Sequence, residues 1–517
     1  MRGQGDFLSH LEQLAKAAAA VRDHCPSPSV WAIPWMNFKH PTHPTQKRLL
    51  QTVGRQEHSP LTILGLAGGA IATGLYALLF TARLGWLRLR WYRQTRAWEG
   101  ITYELIGKTW CFDPPPSHQF NDFYFGDLLR RLGERGVRTL LIWGDSRGRN
   151  WRFRALPQPG DCAYLPELIL APLNAPLAMW WNQLRSALRL RRLARKSRDE
   201  EIRAVAREAS RECLSHRILP VGIYYWIGRE AVRRFRPRAF LSLYEGHGWE
   251  QCLWRGIESS DARCAILGYQ HTVLQPHNLA LTRQGTEGGI SLHPHGVLCL
   301  GPHTRRLMEP SHLGSDLQVF GSFRYHPATV SSAPRPQSRQ VLVLPEGHAE
   351  EAVLLFEAAA AAAERLPNHR FILRCHPVLP FDKVRGLLAR DPLRLPNVEL
   401  SKNRSIAEDM ACSSVVLYRG SSAVLYAILS GLKPIYLENR EWGEIDPLFE
   451  LQDWRERVDG AEEFVAALQR FSEIGAEGER QWQEATRYVR EYAVPVDDLS
   501  IEGLIRWIRP SQVEAVA

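Results

Sequence analysis

The stretch LYRGSSAVLYAILSGLKPIYLE, residues 417–438, decides the fold of the second half of the chain. An apolar strand runs into Arg-Gly-Ser-Ser, a short helix follows, and Gly-Leu-Lys-Pro leads into another apolar strand. Small hydroxyl residues delivered by a strand to the first turn of a helix are typical of an anion site, because free N–H groups and the helix dipole converge there. Serines are also ordinary helix caps, so the stretch alone leaves both interpretations open.

The sequence on either side repeats this alternation of strand and helix. In the second half, further strands are predicted at VLVLP (341–345), HRFILR (369–374) and NVEL (397–400), and S-I-A-E from Ser405 to Glu408 predicts a capping box. In the first half, strands are predicted at VRTLLIWGD (137–145), RAFLSLYE (238–245), RCAILGYQHT (263–272), GVLCLG (296–301) and LQVFGSF (317–323). Such alternation predicts parallel sheets with helices on both faces.

The pattern therefore predicts an α/β protein with two doubly wound, Rossmann-like domains. We expect one domain over 101–325, a Pro- and Ser-rich linker over 326–340 and a second domain over 341–517, preceded by an N-terminal region, 1–100. Two such domains imply a cleft between them. In open sheets of this kind, ligands bind at the carboxyl ends of the strands.

Composition agrees with a globular protein that has anionic partners. The chain has 517 residues and a net charge of +10, an excess that suits phosphate-bearing ligands or an anionic membrane surface. Its nine cysteines are scattered without a CxxC pair, which predicts reduced thiols and a cytosolic location.

Two segments point to a membrane. The stretch 59–82 carries no charged residue and is followed by RLGWLRLRWYRQTR, so it predicts a membrane span with the following chain in the cytoplasm, a helix in the membrane interface or a buried helix. LRSALRLRRLARKSR (184–198) suits an anionic lipid surface or a solvated helix face. No nucleic-acid-binding motif accompanies either segment, and we expect no nucleic acid partner.

The candidate site residues lie just past the predicted strand ends. Those of the first half are suited to acid–base chemistry: Asp145 in GDSRGRN, Glu245 in YEGHGWE and His271 in YQHT. Those of the second half are suited to a nucleotide and its phosphates: Gly347 in PEGH, Arg374, His376 and Pro377 in RCHP, and Arg419, Gly420, Ser421 and Ser422 in RGSS.

Each of these assignments has a structural alternative. Glu245 is either a base or a carboxylate that caps the next helix, and Glu250 is expected to face solvent. His376 either contacts a ligand or is satisfied by backbone groups. The histidines of HPHG (293–296) match no metal template, so no metal is expected.

A two-domain chain with strand–His-Pro and then strand–Ser-Ser–helix–Gly-x-x-Pro–strand resembles the GT-B glycosyltransferases. Within that fold it is similar to the families that use cytidine-activated donors, namely bacterial polysialyltransferases, capsule Kdo transferases and CDP-glycerol transferases. The resemblance implies that His376 and Pro377 contact the cytidine monophosphate part, and that Ser421 and Ser422 bind phosphate. YEGHGWEQ, GYQHT and GSFRY also resemble bacterial surface carbohydrate biosynthesis proteins, over about residues 101–446.

The resemblance implies an inverting, metal-independent glycosyltransferase without a cofactor. Its base would be Glu245, with Asp145 second, and His271 would orient donor or acceptor. The expected partners are a nucleotide-sugar donor, with CMP-linked Kdo or a nonulosonic acid as examples, a glycan or glycolipid acceptor, and an anionic membrane surface. The expected product is a surface polysaccharide such as capsule or O-antigen, made at the cytoplasmic face of the inner membrane. The alternatives are a GT-B-like sugar-nucleotide epimerase and a non-catalytic protein that binds a glycan or another partner.

Overall fold

The computed structural model describes residues 4–39, 43–52, 63–111, 122–145, 156–282, 293–324, 333–334, 338–439, 443–471 and 476–510. The chain divides into two compact units. Unit 1 consists of Met1–His271, Asn278–Tyr325 and Val494–Ala517, and unit 2 of Thr272–His277 and His326–Ala493.

Unit 1 contains, within its described residues, a sheet of seven parallel strands in the order β3-β2-β1-β4-β5-β6-β7. The strands are β1 (Leu105–Cys111), β2 (Thr139–Asp145), β3 (Cys162–Pro166), β4 (Ala239–Leu243), β5 (Ala265–Tyr269), β6 (Gly296–Cys299) and β7 (Asp316–Val319). The strand order reverses between β1 and β4. That reversal is the place where doubly wound sheets bind ligands.

Unit 2 contains, among the residues described, six parallel strands in the order β10-β9-β8-β11-β12-β13. They are β8 (Gln340–Leu344), β9 (Arg370–Leu373), β10 (Val398–Leu400), β11 (Val415–Tyr418), β12 (Lys433–Leu437) and β13 (Glu456–Val458). The reversal here lies between β8 and β11, the strand that leads into RGSS.

Helices connect the strands in both units. Those of unit 1 are α1 (Gln4–His24), α2 (Pro28–Trp31), α3 (Pro44–Thr52), α4 (Ile63–Arg90), α5 (Tyr92–Arg96), α6 (Leu128–Gly133), α7 (Ala175–Lys196), α8 (Glu200–Glu212), α9 (Ile218–Gly222), α10 (Tyr224–Phe235), α11 (Gly248–Glu258), α12 (Leu279–Thr282), α13 (Pro302–Met308) and α20 (Asp498–Ile508). Those of unit 2 are α14 (Ala349–Arg365), α15 (Phe381–Arg385), α16 (Ile406–Cys412), α17 (Ala423–Leu429), α18 (Ala461–Phe471) and α19 (Ala476–Tyr492). Short 3₁₀ turns are Pro34–Asn37, Glu167–Ile169, Glu309–Ser311 and Pro392–Arg394.

These two parallel sheets confirm the predicted fold class. All the strands predicted from apolar runs are present, and the capping box forms, since Glu408 N–H donates to Ser405 Oγ at 3.2 Å and Ser405 N–H donates to Glu408 Oε2 at 2.6 Å. Three strands, β1, β3 and β13, were not predicted. In β1 the reason is Lys108, a fully buried lysine paired with Glu167 at 3.1 Å, which interrupts the apolar run.

The last residues of the chain belong to unit 1, contrary to the predicted domain over 341–517. Helix α20 packs against the unit 1 sheet at β6, where a Cβ atom on Gly296 would lie 2.8 Å from the Trp507 ring. Arg131 also pairs with Asp498 at 2.7 Å. Nothing in the local sequence marks this return, because it depends on a long-range packing surface. The predicted linker, 326–340, lies largely outside the described residues.

Candidate functional site

Four charged or titratable side chains meet at the carboxyl end of the unit 1 sheet and are here called the Glu245 cluster. Glu245 follows β4, and His271 follows the neighbouring strand β5, which places His271 Nε2 at 2.7 Å from Glu245 Oε1. The other carboxylate oxygen contacts Lys39 Nζ and lies 3.3 Å from His247 Nε2. Lys39 Nζ is also 2.6 Å from His247 Nε2. Two of the three predicted acid–base residues, Glu245 and His271, are therefore brought together.

The loop that carries Glu245 is fixed by a second, buried carboxylate. Gly246 has φ +88° and lies so close to Ala280 that a Cβ atom would come within 2.3 Å, so the turn into α11 requires glycine. Glu250, in the first turn of α11, accepts the N–H groups of Glu245, Gly246 and His247 at 2.9–3.1 Å. Glu250 is fully buried, so the prediction that it faces solvent was wrong.

Lys39 comes from the N-terminal region, to which the sequence assigned no role in the site. The buried Arg22 donates to the Asn37 side chain at 2.8 Å. A Cβ atom on Gly248 would lie 2.7 Å from the Trp31 carbonyl oxygen, so the segment before Lys39 packs directly on the start of α11. No sequence motif marks Lys39 as a site residue, because its position depends on how the N-terminal segment packs against α11.

The cluster keeps Glu245 ionised. Burial would raise the pKa of Glu245, but the charge of Lys39, with His271 and His247, holds that pKa well below its ordinary value. Burial and the charge of Lys39 lower the pKa of His247. Burial and the charge of Glu245 raise the pKa of Glu250 to about 8. The side chain of Glu245 is still 19% exposed, so this ionised side chain is partly open to solvent.

Lys39→Met is expected to shift the pH dependence of any reaction that needs ionised Glu245. Without the ammonium group, burial dominates, the pKa of Glu245 rises, and the acid limb of kcat/KM moves to higher pH by roughly one unit or more. The measurement is a pH–rate profile of the wild type, Lys39→Met and Lys16→Met, the last removing an exposed lysine of α1. An acid limb that stays in place in Lys39→Met would contradict the electrostatic role of Lys39.

Three predicted loops of unit 2 follow neighbouring strands. RCHP follows β9, PEGH follows β8 and RGSS follows β11, in the sheet order β9-β8-β11. A Cβ atom on Gly347 would lie 3.3 Å from Nδ1 of His376, and one on Gly420 would lie 2.5 Å from Glu346 Oε2. The two glycines thus allow the loops to approach each other, and the structure brings PEGH, RCHP and RGSS together.

The hydroxyl of Ser422 does not cap the helix that follows RGSS. Ser422 is the residue before α17, but its hydroxyl makes no capping hydrogen bond, and Ser421 and Ser422 are both partly exposed. His376 is also partly exposed, with its Nδ1 accepting the Val378 N–H at 3.4 Å, and Pro377 is exposed. Ser422 therefore does not cap α17 with its side chain, and an anion site at these serines stays a prediction.

The two predicted arginines have partners inside unit 2. Arg374 Nη1 donates to Ser401 Oγ at 3.0 Å and to the buried carboxylate of Asp409 at 2.6 Å. Arg419 is fully buried, and its guanidinium donates to the carbonyl oxygen of Leu437 at 2.6 Å. Both side chains hold the loops in place, and a direct contact with phosphate stays a prediction.

A buried carboxyl group also lies beneath the unit 2 loops. Glu351, in the first turn of α14, accepts the N–H of Glu346 at 3.0 Å and the N–H of Gly420 at 3.3 Å. It thereby links the loops after β8 and β11 across the reversal of strand order. Burial and the charge of Glu346 raise the pKa of Glu351 to about 8.

The two buried acids belong to one repeated motif. Residues 245–250 and 346–351 both read Glu-Gly-His-x-x-Glu, and each copy joins a strand to a helix. In each, the final glutamate is buried and accepts the N–H of the first. The repeat is visible in the sequence, because PEGHAEE and YEGHGWE match at the positions of both glutamates, the glycine and the histidine.

Asp145 and the histidines of HPHG complete the predictions. Asp145 is the last residue of β2, and its side chain and the loop after it lie outside the described residues. Strand β1 separates β2 from β4. His295 Nδ1 accepts the Ile266 N–H at 2.9 Å, and His293 packs on His312. In the described part of the chain, no group of three or more His, Cys, Asp or Glu side chains is placed to hold a metal ion.

The chain is similar in structure to several solved proteins. The glycotransferase of kitacinnamycin is 13% identical, with a TM-score of 0.43, over 79% of this chain and 99% of that one. UDP-GlcNAc 2-epimerase from Neisseria meningitidis is 10% identical, with a TM-score of 0.41, over 79% and 100%. The α,α-trehalose 6-phosphate synthase from Burkholderia multivorans is 10% identical, with a TM-score of 0.44, over 80% and 100%.

No family model matches the chain, and no curated protein matches it. Similarity at these identities and TM-scores does not identify a reaction.

Proposed function

We propose that the chain is an inverting, metal-independent GT-B glycosyltransferase that transfers a sugar from a nucleotide donor to a glycan or glycolipid acceptor. In the reaction the acceptor oxygen forms a bond to the anomeric carbon, and the bond from that carbon to the phosphate oxygen breaks. The acceptor hydroxyl proton passes to Glu245, directly or through His271. The nucleotide leaves with the electron pair of the broken bond.

The observation that carries the proposal is the partly exposed, ionised carboxylate of Glu245 at the carboxyl end of β4. A base must be unprotonated at working pH, and the charge of Lys39 outweighs burial and keeps Glu245 in that form, although it also weakens the affinity of Glu245 for the proton. His271, 2.7 Å away and almost fully buried, is oriented by the carboxylate and by the edge of the Tyr124 ring, with ring centroids 4.6 Å apart. The direct test is nucleotide release from a CMP-sugar that depends on acceptor and on Glu245.

For the donor we propose a CMP-activated sugar, such as Kdo or a nonulosonic acid, held by unit 2. His376 and Pro377 would contact the cytidine monophosphate part, and Ser421 and Ser422 the phosphate. The support is the convergence of the RCHP and RGSS loops next to PEGH, and the absence of a capping bond from Ser422. Helix dipole and hydroxyl groups at α17 would offset the charge of the leaving group.

CMP is expected to raise the melting temperature of the protein more than UDP does. The double variant Ser421→Ala/Ser422→Ala should bind CMP at least roughly tenfold more weakly, since each removed hydroxyl loses a charge-assisted hydrogen bond. The matched control is Ser430→Ala at the other end of α17, whose hydroxyl lies 4.0 Å from Met410 Sδ. Protection by UDP but not by CMP or CDP would overturn the donor assignment.

Two alternative functions lead to different expected results. A sugar-nucleotide epimerase would change the sugar of its donor without any acceptor, which product analysis in an acceptor-free reaction detects. A non-catalytic glycan-binding protein would keep its biological function in folded Glu245→Ala and His376→Ala variants. Loss of function in both folded variants, together with acceptor-dependent release of nucleotide, supports the transferase.

We propose that the reaction takes place at the cytoplasmic face of the inner membrane, on the way to a surface polysaccharide such as capsule or O-antigen. The support is the apolar helix α4 and the arginines that follow it. The helical segment Ala67–Arg90 is long and apolar enough to cross a bilayer by composition, and most of it is not buried. Acceptors carried on lipid would be concentrated at such a surface.

A further inference from the structure

Helix α4 presents a continuous apolar stripe that no described residue covers. The exposed fraction of the large side chains in this stripe ranges from 49% at Trp86 to 82% at Leu89. At 100° per residue they all lie within about 100° of the helix circumference. The members of this α4 stripe are Ile71, Leu75, Leu78, Leu79, Trp86 and Leu89.

The opposite face of α4 packs against the rest of unit 1 along most of the length of the helix. Trp180 of α7 donates its indole N–H to the carbonyl oxygen of Ala70 at 3.0 Å. Thr73 donates its hydroxyl to the Leu214 carbonyl oxygen, and Arg88 donates to the Ala171 carbonyl oxygen at 2.9 Å. A Cβ atom on Gly74 would lie 3.0 Å from the Trp180 ring. The helix is therefore part of the folded unit, and only one side of it is available to a partner.

The chain on both sides of α4 folds into the same unit, which is incompatible with a crossing of the bilayer. Ser27, before α4, lies 2.7 Å from Ser186 of α7, oxygen to oxygen, and both side chains are buried. Arg48 pairs with Glu208 of α8 at 2.7 Å. If α4 crossed the membrane, the residues before it and after it would lie on opposite sides, and these contacts would not exist.

Charge identifies the partner of the stripe. Arg83 and Arg90 border it on one side, and the Arg90 guanidinium lies over the Trp86 ring at 5.1 Å. Arg93 and Arg96 of α5 are also exposed. The sequence contains no acidic residue from 59 to 98. An apolar stripe edged by arginines and a tryptophan fits an anionic lipid surface, whereas a second copy of the same cationic surface would be repelled.

We propose that unit 1 is a monotopic membrane-binding unit, in which α4 lies in the plane of an anionic membrane with the α4 stripe at the boundary of headgroups and acyl chains, and does not cross. This inference rests on the proposed membrane association and not on the proposed sugar transfer. Its tests measure binding and topology without substrate, so its failure and the failure of the transferase proposal are distinguishable.

The first test is flotation of the full chain with vesicles of phosphatidylcholine alone or with added phosphatidylglycerol. We expect the chain to bind the anionic vesicles, and we expect this binding to fall steeply as the salt concentration rises. Leu75→Gln/Leu79→Gln should reduce the bound fraction roughly tenfold, because two inserted leucines are lost. The matched control Leu313→Gln/Leu499→Gln alters two leucines that are 83% and 78% exposed elsewhere in unit 1. Equal loss in both double variants, or equal binding to both lipids, would overturn the proposal.

The second test separates in-plane binding from crossing. A single cysteine reporter added at the N-terminus, in a variant lacking the other reactive thiols, should be labelled from the same side of a sealed membrane as a reporter in unit 1 after α4. Labelling from opposite sides would show that α4 crosses. Self-association of the purified chain that disappears in Leu75→Gln/Leu79→Gln, without vesicle binding by the wild type, would show instead that a second copy covers the stripe.

Discussion

Glu245→Gln is expected to lower kcat/KM for acceptor-dependent sugar transfer by roughly 10³-fold, because a positioned general base contributes about 10²–10⁴. The amide keeps the shape of the side chain but cannot take the acceptor proton. Binding of the donor to unit 2 should remain close to the wild-type value, since the predicted donor contacts lie at His376, Ser421 and Ser422. The measurement is nucleotide release with saturating acceptor, alongside a nucleotide titration by thermal shift.

Loss of fold must be separated from loss of the base. The amide leaves Lys39, whose side chain is only 12% exposed, without its carboxylate, and a buried unpaired charge is destabilising. Lys39→Met/Glu245→Gln removes both charges and is expected to recover stability but not activity. Glu258→Gln, at the far end of α11, is the matched control for the removal of one carboxylate charge from this part of unit 1.

The activities of the variants also show which side chain accepts the proton of the acceptor hydroxyl. If Glu245→Gln retains activity within about threefold of the wild type, a factor far below that of a general base, Glu245 is not the base. If His271→Gln loses as much activity as Glu245→Gln, and the double variant loses no more than either, the two side chains act as one unit. A His271→Gln variant with an unchanged pH profile and a raised KM would show that His271 only positions a substrate.

The sequence predicted the parts of the site that depend on strand ends and left out the parts that depend on packing. Apolar runs locate β4, β5, β9 and β11, and residues just past neighbouring strands are close together in any parallel sheet. Glu245 and His271 meet for that reason. Lys39 does not follow a strand, and its position depends on the way in which Arg22, Trp31 and Asn37 pack the N-terminal region against α11.

The apolar segment at 59–82 shows the same limit in another form. Its composition allows a span, an interfacial helix and a buried helix, because hydropathy does not record what each face of a helix contacts. The structure distinguishes the faces of α4, with Thr73 turned toward Leu214 and Leu75 exposed. It also places Ser27 against Ser186, a pairing that no local pattern contains.

Glu351→Ala and Glu250→Ala are expected to destabilise their units by about 3 kcal/mol each, because each leaves buried backbone N–H groups without an acceptor. Glu351 holds the N–H groups of Glu346 and Gly420, and Glu250 holds three N–H groups of the loop that carries Glu245. Glu350→Ala, which removes an exposed carboxylate one residue away, is the matched control. Hydrogen exchange of the peptides around β8, β11 and β4 reports each unit separately.

The pH dependence of this effect has a definite sign. Burial raises the pKa of both glutamates to about 8, so the folded state holds these protons more tightly than the unfolded state does. Each acid therefore contributes its full stability below the unfolded pKa of about 4.3 and loses it as the pH rises toward 8, at up to about 1.4 kcal/mol per pH unit. The alanine variants lack this titration, so their deficit should be larger near pH 5 than at pH 8. A deficit that does not change across this range would contradict the raised pKa values. It would mean that the two buried carboxyl groups of the repeated Glu-Gly-His-x-x-Glu motif stay ionised in the folded state, with their charge stabilised by the N–H donors.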